Sequence, residues 1–220
     1  MVYYVHLFKG MLYPSTFSYQ MEKAEEIRGL WKKVVFLILI SIFLSAIASY
    51  YGVGMDFLAK EITGISQQEL EAKKLMTSIG KVIWGAGYAA FVLFGWSIIL
   101  WALMDLQYKK LVVIQLVVLA ILLLEKAILL PFHISLGISP EYSPFALGVI
   151  ARYITSNMIV VYILSHISIF KIWVIIFQYT CIKRMSEKSP KVILILIICV
   201  NLFFWLVSTL LSYLKIESLL

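Results

Sequence analysis

The chain has 220 residues, of which 62% are hydrophobic and only 14% charged, with a formal net charge of +7. So little polar surface cannot cover a soluble globule of this size, so lipid must cover the rest. The basic residues flank apolar runs instead of alternating with aromatics along one stripe, which argues against nucleic acid and for anionic lipid headgroups.

Residues 1–33 are aromatic, charged and too polar to span. Pro14-Ser15-Thr16 reads as a helix start, and Phe17, Met21 and Ala24 recur at helical spacing, with Glu22, Lys23, Glu25 and Glu26 on other faces. This pattern predicts either one or two amphipathic helices in the cytoplasmic interface or a leader packed on the helix ends. Residues 34–220 then read as a single transmembrane domain.

The first span is expected over 34–55, with Ser41, Ser45, Ser49 and Gly52 on one helical stripe where another helix can approach closely. Ala46-Ile47-Ala48 has the small-residue spacing of a signal cleavage site. The preceding segment is too long for an n-region, however, and the apolar run continues past it.

Residues 56–80 form the one long polar loop, in which Ser66-Gln67-Gln68-Glu69 is a capping box that starts a short helix through Met76. Its charges nearly cancel, which places it outside. The second span is expected over 82–104, with Gly85 and Gly87 marking close helix contact and Trp84 and Trp101 near the two interfaces. A tight basic turn leads to a third span over 111–130, and an outer turn follows over 131–142.

Within the third span lie Glu125 and Lys126, about 22 to 24 Å above Lys110 at the usual helical rise. Adjacent helical residues point about 100° apart, so the two do not simply pair with each other. A short helix in the outer leaflet is expected over about 145–156, then a fourth span over 157–182 and a fifth over 192–213.

The last two spans are joined by Lys183, Arg184, Lys188 and Lys191, and such a basic hinge stays on the cytoplasmic side. The chain is therefore predicted to be an all-α integral membrane protein with five transmembrane helices. Its amino terminus is cytoplasmic and its carboxyl terminus outside.

Chemistry-bearing motifs are sparse. Cys181 and Cys199 suggest no disulfide framework, and the histidines are scattered. No zincin motif, phosphate loop or nucleophile elbow is present, so no catalytic, metal or cofactor residue is assigned.

What remains is a polar set toward the outer half: Glu125, Lys126, Arg152, His166 and Lys171. Each ionisable group costs on the order of 3 kcal/mol at a helix centre, so it must pair, snorkel or line water. One reading is an ion pair of Glu125 with Lys171 or Arg152 locking two spans together; the other is a small polar cavity or ion path. Gln115, Asn157, Gln178 and Asn201 read as interhelical glue.

Ile169-Phe170-Lys171-Ile172-Trp173, then Ile182-Lys183-Arg184, then Trp205-Leu206-Val207 resemble the closing helices of the Ypt-interacting (Yip) membrane family. Leu12-Tyr13-Pro14-Ser15-Thr16-Phe17 is similar to that family's cytoplasmic entry helix. Two departures stand out: Phe177-Gln178-Tyr179-Thr180 lacks the family's glycine-bearing stretch, and Lys171 sits between the Phe and the Trp.

The resemblance implies a five-helix scaffold without enzymatic activity. Eukaryotic relatives act with small GTPases in vesicle traffic, and bacterial ones include a membrane component that accompanies an ABC-type exporter. The short Lys- and Ile-rich chain points to the bacterial type, multi-pass in the plasma membrane. Its expected partners are lipids and a transporter or a second copy of itself. The alternative from the polar set is a small ion or solute carrier or channel.

Overall fold

In lipid, backbone N–H and C=O groups must bond within their own segment, so long apolar runs become helices. The computed structural model describes residues 2–54, 66–137, 143–155 and 157–213. Residues 56–65 of the expected outer loop and 138–142 of the expected outer turn lie outside the described residues.

Four helices are long and apolar enough to cross a bilayer: α3 (Leu30–Tyr50), α4 (Gln67–Leu103), α5 (Tyr108–Leu136) and most of α9 (Pro190–Tyr213). The chain is thus an α-helical membrane protein. Helix α5 is its centre, with 67% of its most apolar window covered by the rest of the chain against 33% for α3 and 17% for α9. Every residue from Leu111 to Leu119 is buried.

Helix α4 begins at the capping box expected from the sequence. The Ser66 backbone N–H donates to Glu69 Oε2 at 3.1 Å, and Ser66 Oγ accepts from the Glu69 N–H. The short outer helix and the second span, expected as separate elements, form one helix of 37 residues, about 55 Å long. Between Met76 and Val82 only Gly80 opposes helix, at about 1 kcal/mol, and no proline intervenes.

A π-helical stretch, Phe91–Gly95, interrupts α4 beside an aromatic cluster in which the Phe204 ring lies 5.3 Å from Phe91 and 4.4 Å from Trp96. Pro131, expected to open the outer turn, lies inside α5. The helix ends six residues later, at Gly137, whose left-handed φ of 61° caps it.

The segment expected as one span over 157–182 is divided. The short outer helix is α6 (Gly148–Ile154); α7 (Met158–Ser165) and α8 (Ile169–Met185) follow. Ser168 makes the break, because its extended backbone pairs with Ala146 and its Oγ caps α8 by accepting from the Lys171 N–H at 3.2 Å. Leu147 N–H donates to Ile167 O at 3.0 Å, and Ile169 N–H donates to Phe145 O at 3.2 Å, closing the base of an α6/α7 hairpin. A Cβ on Gly148 would stand 2.8 Å from Ser165 Cα, so glycine permits the close contact there.

The amino-terminal segment packs into the bundle. Strands β1 (Val2–Tyr4) and β2 (Glu26–Arg28) pair in parallel around α1 (Leu7–Leu12) and α2 (Pro14–Glu22). Phe17 and Met21 are buried, with the Phe17 ring 5.5 Å from Phe177 of α8. Gly10 lets α1 approach α5, since a Cβ there would come within 3.2 Å of Val117. Residues 1–33 thus pack on the helices through Phe17 and Met21.

Candidate functional site

The small residues of α3 and α4 meet in one seam. Ser41 Oγ donates to the Gly85 carbonyl at 2.7 Å, and a Cβ on Gly85 would press into the Ser45 side chain and stand 3.2 Å from the Ser41 carbonyl. Ser41, Ser45 and Ser49 are all buried. Gly87 and Gly52 stand apart from this seam: a Cβ on Gly87 would meet nothing within 4 Å, and Gly52 turns the chain after α3 at a φ of 69°.

The five polar residues divide into separate groups. Glu125 is buried on α5, within electrostatic range of Lys171 on α8 and Tyr88 on α4. Glu125 and Lys171 attract across the interior without closing an ion pair within 4 Å. Lys126 turns the other way and donates from Nζ to Ser45 Oγ at 2.8 Å. Arg152 lies on the exposed side of α6, and His166 sits at the break between α7 and α8.

Tyr88 is the member that sequence reasoning missed. Its only signal is a phenol inside the small-residue run Gly85-Ala86-Gly87-Tyr88-Ala89-Ala90.

Deeper in the core, three amides clamp α5, α8 and α9. Asn201 Nδ2 donates to Gln178 Oε1 at 3.1 Å and to the Ile197 carbonyl at 2.8 Å, and Gln178 Nε2 donates to Gln115 Oε1 at 3.4 Å. All three side chains are buried, so the contacts set the register of the helices.

At the opposite end from Glu125, charged groups tie the amino-terminal segment to the bundle. Arg184 Nε donates to Glu22 Oε2 at 2.9 Å, and Lys110 Nζ donates to the Glu22 carbonyl at 3.1 Å. Lys188 Nζ donates to the Leu103 carbonyl at 2.7 Å, satisfying the end of α4. Burial pushes the Tyr3 phenol up to about 12. A cleft of about 270 Å³ beside Tyr3, Lys9 and Tyr13 and one of about 210 Å³ beside Glu22, Asp105 and Lys110 open on this surface.

Among the described residues no group of three His, Cys, Asp or Glu stands together as a metal site. The arrangement can hold helices in register and place one buried carboxylate, Glu125, near the half-buried Lys171 and the more exposed Tyr88. In comparisons with known proteins, no family model, curated protein or solved structure matches the chain.

Proposed function

We propose that this protein is a non-enzymatic, Yip-like membrane scaffold that acts as an assembly or regulatory partner of another membrane protein, an ABC-type exporter being the class that the resemblance suggests. The observation that carries the reading is the uneven packing. Helix α5 has 67% of its most apolar window covered by the rest of the chain, whereas α9 has only 17% covered and presents Ile195, Phe203 and Leu206 outward. A helix so weakly held by its own chain suits contact with lipid and with a second membrane protein.

The seam of Ser41, Ser45 and Gly85 is used within the chain, so the partner surface lies on α9 and on the outer stripe of α4 at Ile83, Trp84 and Gly87. In this reading the protein sits in a bacterial plasma membrane, with the amino terminus and the basic hinge cytoplasmic. Helix α8, with 17 residues and about 26 Å, serves as the fifth crossing. Trp84 and Trp101 are both largely exposed on α4 and stand about 26 Å apart along it, which suits the two interfaces of one bilayer.

The test is purification from native membranes in mild detergent, with mass spectrometry of what remains bound. A stoichiometric transporter supports the scaffold, and a self-associated species alone counts against it. A second reading, a small ion or solute carrier, draws on the buried Glu125, which has Lys171 and Tyr88 in electrostatic range and closes no ion pair with Lys171 within 4 Å. It requires solute flux in liposomes holding this protein alone, abolished by Glu125→Gln.

A further inference from the structure

The amino-terminal segment turns apolar side chains in two directions. On α1, Leu7, Gly10 and Met11 are buried against the bundle, while Phe8 and Leu12, one turn apart on the other side, are 80% and 67% exposed. Tyr13, at the tip between α1 and α2, is 63% exposed. The apolar spacing legible in sequence, Phe17, Met21 and Ala24, is spent on the interior and does not account for this second face. A short helix that is apolar on both sides needs cover on both.

Contacts with the long helices set the depth of this face. A Cβ on Gly10 would stand 3.2 Å from Val117, and Val117 lies about 9 Å beyond Leu111, where the apolar run of α5 begins. Phe17 packs on Phe177, about 8 Å inside Ile182, the last apolar residue of α8 before the basic hinge. The far end of α2 returns to the charged rim, where the Glu22 carboxylate accepts from Arg184 and its carbonyl from Lys110. Ile98 and Trp101 on α4 and Val192 and Ile195 on α9 are exposed within two turns of the same end, so the apolar surface of the bundle continues down to that rim.

We propose that α1 and α2 form a re-entrant hairpin set in the lipid leaflet at the basic end of the bundle, with Phe8 and Leu12 among the acyl chains. Its tip stands about 8 to 9 Å inside the apolar boundary, short of the roughly 15 Å of hydrocarbon in one leaflet, so the hairpin enters and leaves by the same side. The backbone at the tip suits lipid. Pro14 brings no N–H there, Tyr13 N–H donates to Lys9 O at 2.9 Å, Phe17 N–H to Tyr13 O at 3.0 Å and Ser18 Oγ to Ser15 O at 2.9 Å. Lys9 is exposed, and its long stem lets the ammonium reach back to anionic headgroups. Acyl chains are the occupant because Phe8 and Leu12 lie at the depth of the exposed apolar residues of α4 and α9, on the outside of a membrane-embedded bundle. The hairpin's place in lipid does not depend on the scaffold role.

The test uses the full chain in liposomes containing phosphatidylglycerol, with Cys199→Ser and the buried Cys181 kept. A nitroxide is attached in turn at Phe8→Cys, at Leu12→Cys, at Phe203→Cys on the outside of α9 and at Glu187→Cys in the exposed basic hinge. Collision of each label with oxygen, which concentrates in lipid, is compared with collision with a water-soluble nickel chelate. The oxygen-to-nickel ratio at Phe8 and Leu12 is expected to match that at Phe203 and to exceed that at Glu187 several-fold. A ratio at either position equal to that at Glu187 makes the segment a collar in water and overturns the proposal. A label that neither probe reaches overturns it too, since a protein surface, a second copy included, then covers this face. Tyr13→Cys, at the exposed tip, replaces either variant that melts below the parent, and the same outcomes decide.

Discussion

At the scale of single residues, the seam between α3 and α4 sets two glycines against each other. Gly85 has no room for a methyl group, because a Cβ would drive into Ser45 and crowd the Ser41 carbonyl; Gly87, half a turn away, has open space. Gly85→Ala should therefore cost about 1 to 3 kcal/mol by overpacking, and Gly87→Ala should be neutral or slightly stabilising. Melting of the two variants in detergent checks the contrast, and equal melting temperatures would remove the seam. Glu125 makes a second case: with Lys171 in electrostatic range, Glu125→Gln leaves a partly buried ammonium without its nearest opposite charge. A lower melting temperature is expected, by about 1 to 3 kcal/mol of stability. An unchanged one would show that Lys171 snorkels to the interface instead.

At the scale of elements, the amino-terminal segment is held by burial more than by charge, since its Glu22–Arg184 pair is largely exposed and such pairs are worth at most about 1 kcal/mol. Phe17→Ala, which empties the contact with Phe177, should cost about 3 to 5 kcal/mol and expose Lys9 to trypsin. Tyr3 adds a pH signature. Burial raises its pKa from the ordinary value of 10 to about 12, so the folded state favours the neutral phenol. Its contribution is complete below about pH 10 and is lost as pH rises through about 12. Detachment of the segment, followed by tryptic cleavage, should therefore rise across that window in the parent more steeply than in Tyr3→Phe, and identical profiles would remove the assignment. Burial of this segment was not legible in sequence, because the groove that receives Phe17 and Met21 is made by residues of α5 and α8 a hundred or more positions away. Hydropathy located α3, α5 and α9 closely, since lipid leaves an uninterrupted apolar run no other structure. The break at Ser168 escaped for the opposite reason. It depends on backbone pairing with Ala146, and Ser168 alone inside an apolar run looks like any helical serine.

At the scale of the whole molecule, the divided segment decides how often the chain crosses. Helices α6 and α7 have 7 and 8 residues, about 10 and 12 Å, and neither can cross a hydrocarbon core of about 30 Å. The bonds between Phe145–Leu147 and Ile167–Ile169 bring the two ends of this hairpin together, so the chain leaves it where it entered. In the proposed five-pass reading the hairpin returns to its own side, and α8 joins α3, α4, α5 and α9 as a crossing helix. The basic hinge between α8 and α9 then shares a side with the turn at Lys109 and Lys110 and with the amino-terminal segment, the arrangement that retention of Lys and Arg in the cytoplasm favours. Had α6 and α7 made a full crossing, the hinge and its four cations would face outward. A cysteine at Ser186, in a chain whose Cys181 and Cys199 are replaced by serine, should react with a membrane-impermeant maleimide only after cells are permeabilised. One at Ser66, the exposed start of α4, should react in intact cells. Labelling of both from the same side would mean an even number of crossings between them. Either the hairpin would then traverse the membrane or α8 would not, and the five-pass scaffold would fall.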